Sequence, residues 1–162
     1  MKLKVVQYIA LLMLLLVTGV FWGTWFALSR SIDSFSYSEF IHIGKIIIEN
    51  LAVPMRIIMP ACILFMVLSI PFYTKKQKSM GFYLIIFAAI LILVVLYITV
   101  GIEVPMDNEI KQWTPLSPPP DWEAIRTKWE FFHTMRTVIS LISFACFSAS
   151  LQFEKGENSR NR

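Results

Sequence analysis

Charged residues divide the chain into four long apolar runs. Val5 to Leu28 holds no charge, and neither does Gly81 to Ile102; Val53 to Tyr73 and Phe131 to Phe153 each hold a single arginine, Arg56 and Arg136. Each run exceeds the roughly 20 residues that cross a hydrocarbon core of about 30 Å at 1.5 Å per residue. The pattern predicts an all-α fold: an integral membrane four-helix bundle, up-down-up-down, with spans over 5–28, 53–73, 81–102 and 131–153. The first run is too long for a signal-peptide core and no small-residue cleavage site follows it, so it reads as a retained helix. Residues 154–162 read as a charged cytoplasmic tail without fixed structure.

The connections are patterned too. Ser36 with Glu39 three residues later spells a capping box, and the segment to Asn50 is amphipathic. Phe40, Ile43, Ile47 and Ile48 share one side; Glu39, His42, Lys45 and Glu49 share the other. This is an amphipathic outer helix before the second span, either lying on the membrane surface or extending that span outward. Pro54 and Pro60 punctuate the span itself. The link 74–80 with its three lysines makes the second and third helices antiparallel neighbours. Pro118, Pro119 and Pro120 stiffen the last long loop, and Asp121 stands where the cap of a helix running into the fourth span belongs.

Composition confirms the solvent. Hydrophobic residues make up 56% of the 162, more than a soluble domain of this size can bury. The net charge of +4 has no basic patch with interleaved aromatics, which argues against nucleic acid. Its basic residues instead flank the spans. Lys2, Lys4, Lys75, Lys76, Lys78, Lys155, Arg160 and Arg162 fall on one side, and Arg30, Lys45, Lys111, Arg126 and Lys128 on the other. The positive-inside rule then puts both termini in the cytoplasm of a cell whose plasma membrane the protein spans. Trp22, Trp25 and Phe26 close the first helix at the outer interface as an aromatic belt. Cys62 and Cys146 sit singly in apolar runs and read as small buried hydrophobes, with no C-x-x-C pair for redox chemistry.

Candidate chemistry collects at the outer end. Arg126, Trp129, Glu130, His133, Arg136 and Thr137 recur at three- and four-residue spacing and share one helical face. Ionisable groups at the hydrocarbon boundary usually face the bundle interior. One reading makes His133 a general base or metal ligand and Arg136 an oxyanion clamp. The other has Arg136 reaching to the headgroups and His133 bonded to Glu130. Arg56 and Glu103 lie at similar depth, and an Arg56–Glu103 or Arg136–Glu103 ion pair would be a structural explanation of these charges. Glu39-x-x-His42 and Glu130-x-x-His133 share a spacing used by di-iron bundles, but the first helix offers no carboxylate, and no metal or other cofactor is assigned.

The run Glu103-Val-Pro-Met-Asp-Asn-Glu-Ile110, then Trp113, Trp122 and Arg126-x-x-Trp129-x-x-x-His133-x-x-Arg136-Thr137, resembles a small four-helix membrane family of unknown function that includes the anthrone oxygenases of aromatic polyketide pathways. The family pattern has Asn-Val-Pro-hydrophobic-Asn before a Trp-containing loop, then Trp, His and Arg-Thr entering the last helix. Glu103 stands where Asn is common, and Asp107-Asn108 covers the second Asn. The resemblance implies oxidation of an anthrone to an anthraquinone by molecular oxygen with no firmly implied cofactor. His133 would remove the proton and Arg136 would stabilise the oxyanion. Trp113, Trp122 and Trp129 would cover a hydrophobic aromatic ligand, with Arg56, Glu103, Asn108 and Glu130 around it.

The residues leave two function classes. The first is a non-catalytic membrane module whose charged end is a structural network or docks a partner, a second copy of the chain included. The alternative is an anthrone oxygenase-like enzyme or binder of a hydrophobic aromatic. An enzyme calls for a closed cavity of about 300 Å3 or more at His133. A structural module calls for His133 and Arg136 to be fully paired by protein groups with no cavity beside them.

Overall fold

The computed structural model describes residues 2–73 and 79–160, with backbone only at 2, 3, 72 and 154–160. The lysines at 75, 76 and 78, Arg162, and the side chains of Lys2, Lys155 and Arg160 therefore lie outside the described residues. Among those described, four helical stretches are long and apolar enough to cross a membrane: Lys4–Ser34, Tyr37–Ser69, Met80–Gln112 and Trp122–Phe153. The protein is an all-helical, multi-pass membrane protein.

Helix α1 covers Lys2–Ala27, and a 3-10 stretch, Ser29–Ser34, turns the chain into α2, Tyr37–Ser69. Ser36 caps α2 as its sequence proposes: its hydroxyl accepts from Glu39 N–H at 3.4 Å, and its own N–H donates to Glu39 Oε2 at 2.8 Å. Of the two readings for the amphipathic segment, the structure takes the extension. α2 runs unbroken through Pro54 and Pro60 for 33 residues, about 50 Å at 1.5 Å per residue. Helix α3, Met80–Ile98, leads through a π turn, Thr99–Glu103, into α4, Val104–Gln112. Thr114 and Ser117 then bridge a small turn, and α5, Trp122–Arg160, completes the chain. Its backbone stays helical seven residues past Phe153, where the sequence suggested an unstructured tail.

Contacts at the end carrying the termini show the alternating direction of the spans. Gln7 near the start of α1 donates to the Tyr73 hydroxyl just past α2, at 3.3 Å, and that hydroxyl lies 3.4 Å from Ser150 Oγ late in α5. Gly81, opening α3, packs against the Ser150 carbonyl. α5 packs most fully on α3 and α1, and α1 on α2; α2 and α3 touch over a smaller area despite their short link.

The main core lies between these helices. Ala10, Leu14, Val17 and Phe21 give α1 one buried face at spacings of four, three and four; Ile85, Ala88, Ile92 and Val95, at three, four and three, give α3 another. On α5 the inward face is largely hydroxylic: Thr137, Ser140, Ser143 and Ser150 are buried, with Phe147 among them. Ser143 Oγ donates to the Ala88 carbonyl at 2.9 Å, which ties α5 to α3 and satisfies a hydroxyl that hydrocarbon would not. Val53, Ile57, Leu64 and Val67 on α2 face outward, as a lipid-facing side requires. A second, smaller core sits at the end away from the termini, hereafter the distal end. It is built from Ile32, Phe40, Ile41, Ile48, Met106, Ile110, Trp113 and Trp129.

Candidate functional site

His133 lies where the two cores meet. It is 1% exposed, stacked on Trp129 one turn earlier with ring centroids 5.0 Å apart and planes at 3°. Phe21 of α1 meets it edge-on, at 6.5 Å and 85°. Arg136, one turn later, donates to His133 Nδ1 through Nε at 3.2 Å, with Nη2 at 2.8 Å from the same nitrogen. The guanidinium carbon stands 4.6 Å from the Phe21 ring centre, a cation–π contact that replaces some lost hydration. Thr137 holds the turn by donating to the His133 carbonyl at 2.7 Å.

Glu103 supplies the counter-charge. Its carboxylate is fully buried, and Arg136 Nη2 stands 2.6 Å from Oε2. The π turn explains how it arrives there. Pro105 has no N–H, and its ring crowds the carbonyl four residues back, which disfavours a regular helix through this point. Thr99–Glu103 widens instead, with Val104 N–H bonding the Thr99 carbonyl five residues earlier. The extra residue in the turn rotates the end of the span, and Glu103 faces α5. Of the two ion pairs open to Glu103 from the sequence, Arg136–Glu103 forms; Arg56 is exposed on α2.

The Glu103–Arg136 approach is a charge contact whose angles fall outside those of a hydrogen bond. Neither Glu103 oxygen has a hydrogen-bond partner among the described residues, and neither does His133 Nε2. A buried polar atom left unpaired costs about 1–3 kcal/mol. With Glu103 Oε2 engaged by the Arg136 charge, Glu103 Oε1 and His133 Nε2 are the two atoms here left without a partner among the described residues, and they mark the region as unfinished by protein groups alone.

The tryptophans cover this region. Trp129 Nε1 donates to Asp107 Oδ1 at 3.0 Å, linking α5 to α4. Trp113 and Trp122 pack with Tyr37 and Phe40, and the Trp113 carbonyl accepts from Lys45 Nζ at 2.7 Å. Arg126 reaches the Phe35 carbonyl at 3.2 Å and Asp33 at 3.4 Å, with its guanidinium over Trp122. Trp25 donates to Thr134 at 3.0 Å, while its belt neighbours Trp22 and Phe26 are exposed. The pocket at this end is apolar, lined by Leu28, Ile32, Phe40, Ile48, Ile110 and Trp129 among others, and holds about 10 Å3. That is room for no more than about one water, and His133 does not line it.

The structure thus brings together His133, Arg136, Glu103 and Trp129, with Trp113 and Trp122 in the cover above. Asn108 is exposed on α4, and Glu130 is half-buried beside the group rather than bonded to His133. Glu39 and His42 are exposed on α2, and among the described residues no three His, Cys, Asp or Glu side chains converge as a metal site would need. Sequence reasoning missed the hydroxyl face of α5, although Thr137, Ser140 and Ser143 recur at helical spacing. It also missed that Arg136 bonds His133 directly.

A four-span helical membrane protein with a Glu–Arg–His cluster sealed under aromatic side chains is the class these observations describe. Residues 49–146 match the anthrone oxygenase family, more than half of the sequence, and the chain belongs to that family. No curated protein and no solved structure matches it.

Proposed function

We propose that the protein is a membrane-embedded enzyme that oxidises an anthrone-like aromatic carbon acid with molecular oxygen, using the Glu103–Arg136–His133 cluster. It spans the plasma membrane with both termini in the cytoplasm and the cluster at the outer end, an orientation supported by the distribution of Lys and Arg. The observation that carries the function is the set of buried, unpaired polar atoms on His133 and Glu103 beside a cation, under a hydrophobic cover. Such a site offers a hydrophobic aromatic a proton acceptor and a positive charge for the anion left behind. The overall change, anthrone plus O2 to anthraquinone plus water, balances without a further oxidant. Because the closed state holds so little space, substrate entry requires the Trp129 cover to shift, as lids commonly do.

The test is turnover by purified protein in detergent or liposomes. His133→Ala and Arg136→Ala, assayed on preparations that still elute as folded protein, are expected to lose about 100-fold or more of the wild-type rate. Retention of full activity in both would remove the cluster from the chemistry.

The cavity of about 10 Å3 favours a second reading, a structural network that pins α3 to α5. On that reading both variants unfold and the wild type turns over no anthrone.

A further inference from the structure

The direction of one hydrogen bond divides the chemical roles. Arginine carries five N–H donors and no acceptor. Its bond to His133 Nδ1, 3.2 Å from Nε, therefore has only one sense: Nδ1 accepts. A neutral imidazole has one N–H and one lone-pair nitrogen. With the Nδ1 lone pair engaged, the hydrogen sits on Nε2, the buried atom that has no acceptor among the described residues. Three contacts fix the orientation of the ring. Trp129 lies flat against one face, Phe21 abuts it edge-on, and Arg136 holds Nδ1. A histidine held in this way has no free lone pair with which to take a proton. It is a fixed donor.

The acidic groups at this end differ in what they have left to offer. Asp107 already accepts the Trp129 indole N–H at 3.0 Å and is only half-buried. Glu130 is half-buried on α5. Glu103 is fully buried, touches the cation through Oε2, and keeps Oε1 without a partner. Among the described residues it is the carboxylate placed inside the cluster with an oxygen to spare.

We infer that Glu103 is the proton acceptor of the reaction proposed above, and that His133 serves as a hydrogen-bond donor through Nε2–H to the substrate oxygen. The inference rests on the proposed function and reverses the role that the sequence suggested for His133. In the first step, the acidic C–H bond of the anthrone breaks, an O–H bond forms on Glu103, and the electron pair passes into the ring system as an oxyanion. His133 Nε2–H and the Arg136 charge stabilise that oxyanion. The anion then gives its electron pair to O2, forming a C–O bond, and the distal oxygen takes the proton back from Glu103. The resulting hydroperoxide loses water as its O–O bond and the remaining C–H bond break, leaving the new carbonyl. Carbon is oxidised, oxygen is reduced, and Glu103 ends as it began.

Two measurements test this. The first needs no turnover. The chain has two histidines, and His42 is exposed on α2, so histidine 15N shifts compared between wild type and His42→Gln report His133 alone. The Nε2–H neutral tautomer is expected; an Nδ1–H tautomer or a charged ring overturns the inference. The second is turnover of anthrone under oxygen. His133→Gln places an amide N–H near the position of Nε2 and offers no base, so it should keep activity to within about tenfold of wild type. His133→Ala should lose about 100-fold or more, and Glu103→Gln about 100-fold or more. The reverse pattern, with His133→Gln as inactive as His133→Ala and Glu103→Gln active, overturns the division of roles while leaving the proposed function standing. A wild type that turns over no anthrone overturns both. Should Glu103→Gln fail to fold, the tautomer of the wild type decides the question.

Discussion

Trp129 lies flat on His133 while its indole N–H binds Asp107, so one residue both covers the imidazole and joins α5 to α4. Replacing it separates the two contributions. Trp129→Phe keeps an aromatic face but leaves the Asp107 oxygen unpaired, which should cost about 1–2 kcal/mol. Trp129→Ala also loses the packing and should cost about 3–5 kcal/mol. Denaturant unfolding in mixed micelles measures both, and equal stability of Trp129→Phe and wild type would show that the indole bond contributes nothing.

The Arg136–Glu103 pair predicts a coupling. Arg136→Met or Glu103→Leu alone strands a buried charge, and each should cost about 3–5 kcal/mol. The double variant should cost clearly less than their sum, by about 1 kcal/mol or more, because both charges are gone. The spans should survive in every case, since the main core does not include either residue. Strict additivity in a double-mutant cycle would mean that the two side chains do not interact.

Close packing at the other end gives a local test. A Cβ on Gly81 would stand 3.2 Å from the Ser150 carbonyl and 3.3 Å from the Tyr73 ring, whereas one on Gly19 meets nothing within 4 Å. Gly81→Ala should lower stability by about 1–3 kcal/mol, and Gly19→Ala should not. Thermal unfolding of the pair in one detergent makes the comparison direct.

Leu116, 96% exposed in the loop before α5, reports the orientation. With Cys62 and Cys146 replaced by alanine, Leu116→Cys should react with a membrane-impermeant maleimide added to intact cells. Labelling only after the cells are opened would reverse the topology.

Much of the fold was written in the chain. Charge-free runs of this length have few homes other than lipid, and the Ser36–Glu39 box forms as spelled. The face of α5 bearing Trp129, His133, Arg136 and Thr137 was legible because helical spacing alone groups those residues. What spacing could not reveal is which helices become neighbours. Arg56 and Arg136 were equal claimants to Glu103 until the π turn before Pro105 set the rotation of the chain there. The continuity of α2 was hidden for a related reason: an amphipathic segment followed by an apolar one reads equally as two elements or one. The sense of the Arg136–His133 bond required coordinates, because two residues three apart on a helix can meet or diverge through their rotamers.

The two hydrophobic clusters stand one above the other, joined by the rigid rod of α2. The lower storey belongs to the four apolar spans, which lipid would surround; the upper one is an aromatic core nearer the aqueous loops. Urea added from the aqueous side would therefore dismantle the aromatic roof first. Because His133 is wedged between Trp129 above and Phe21 below, the histidine should lose its fixed setting while the membrane-crossing rods are still upright.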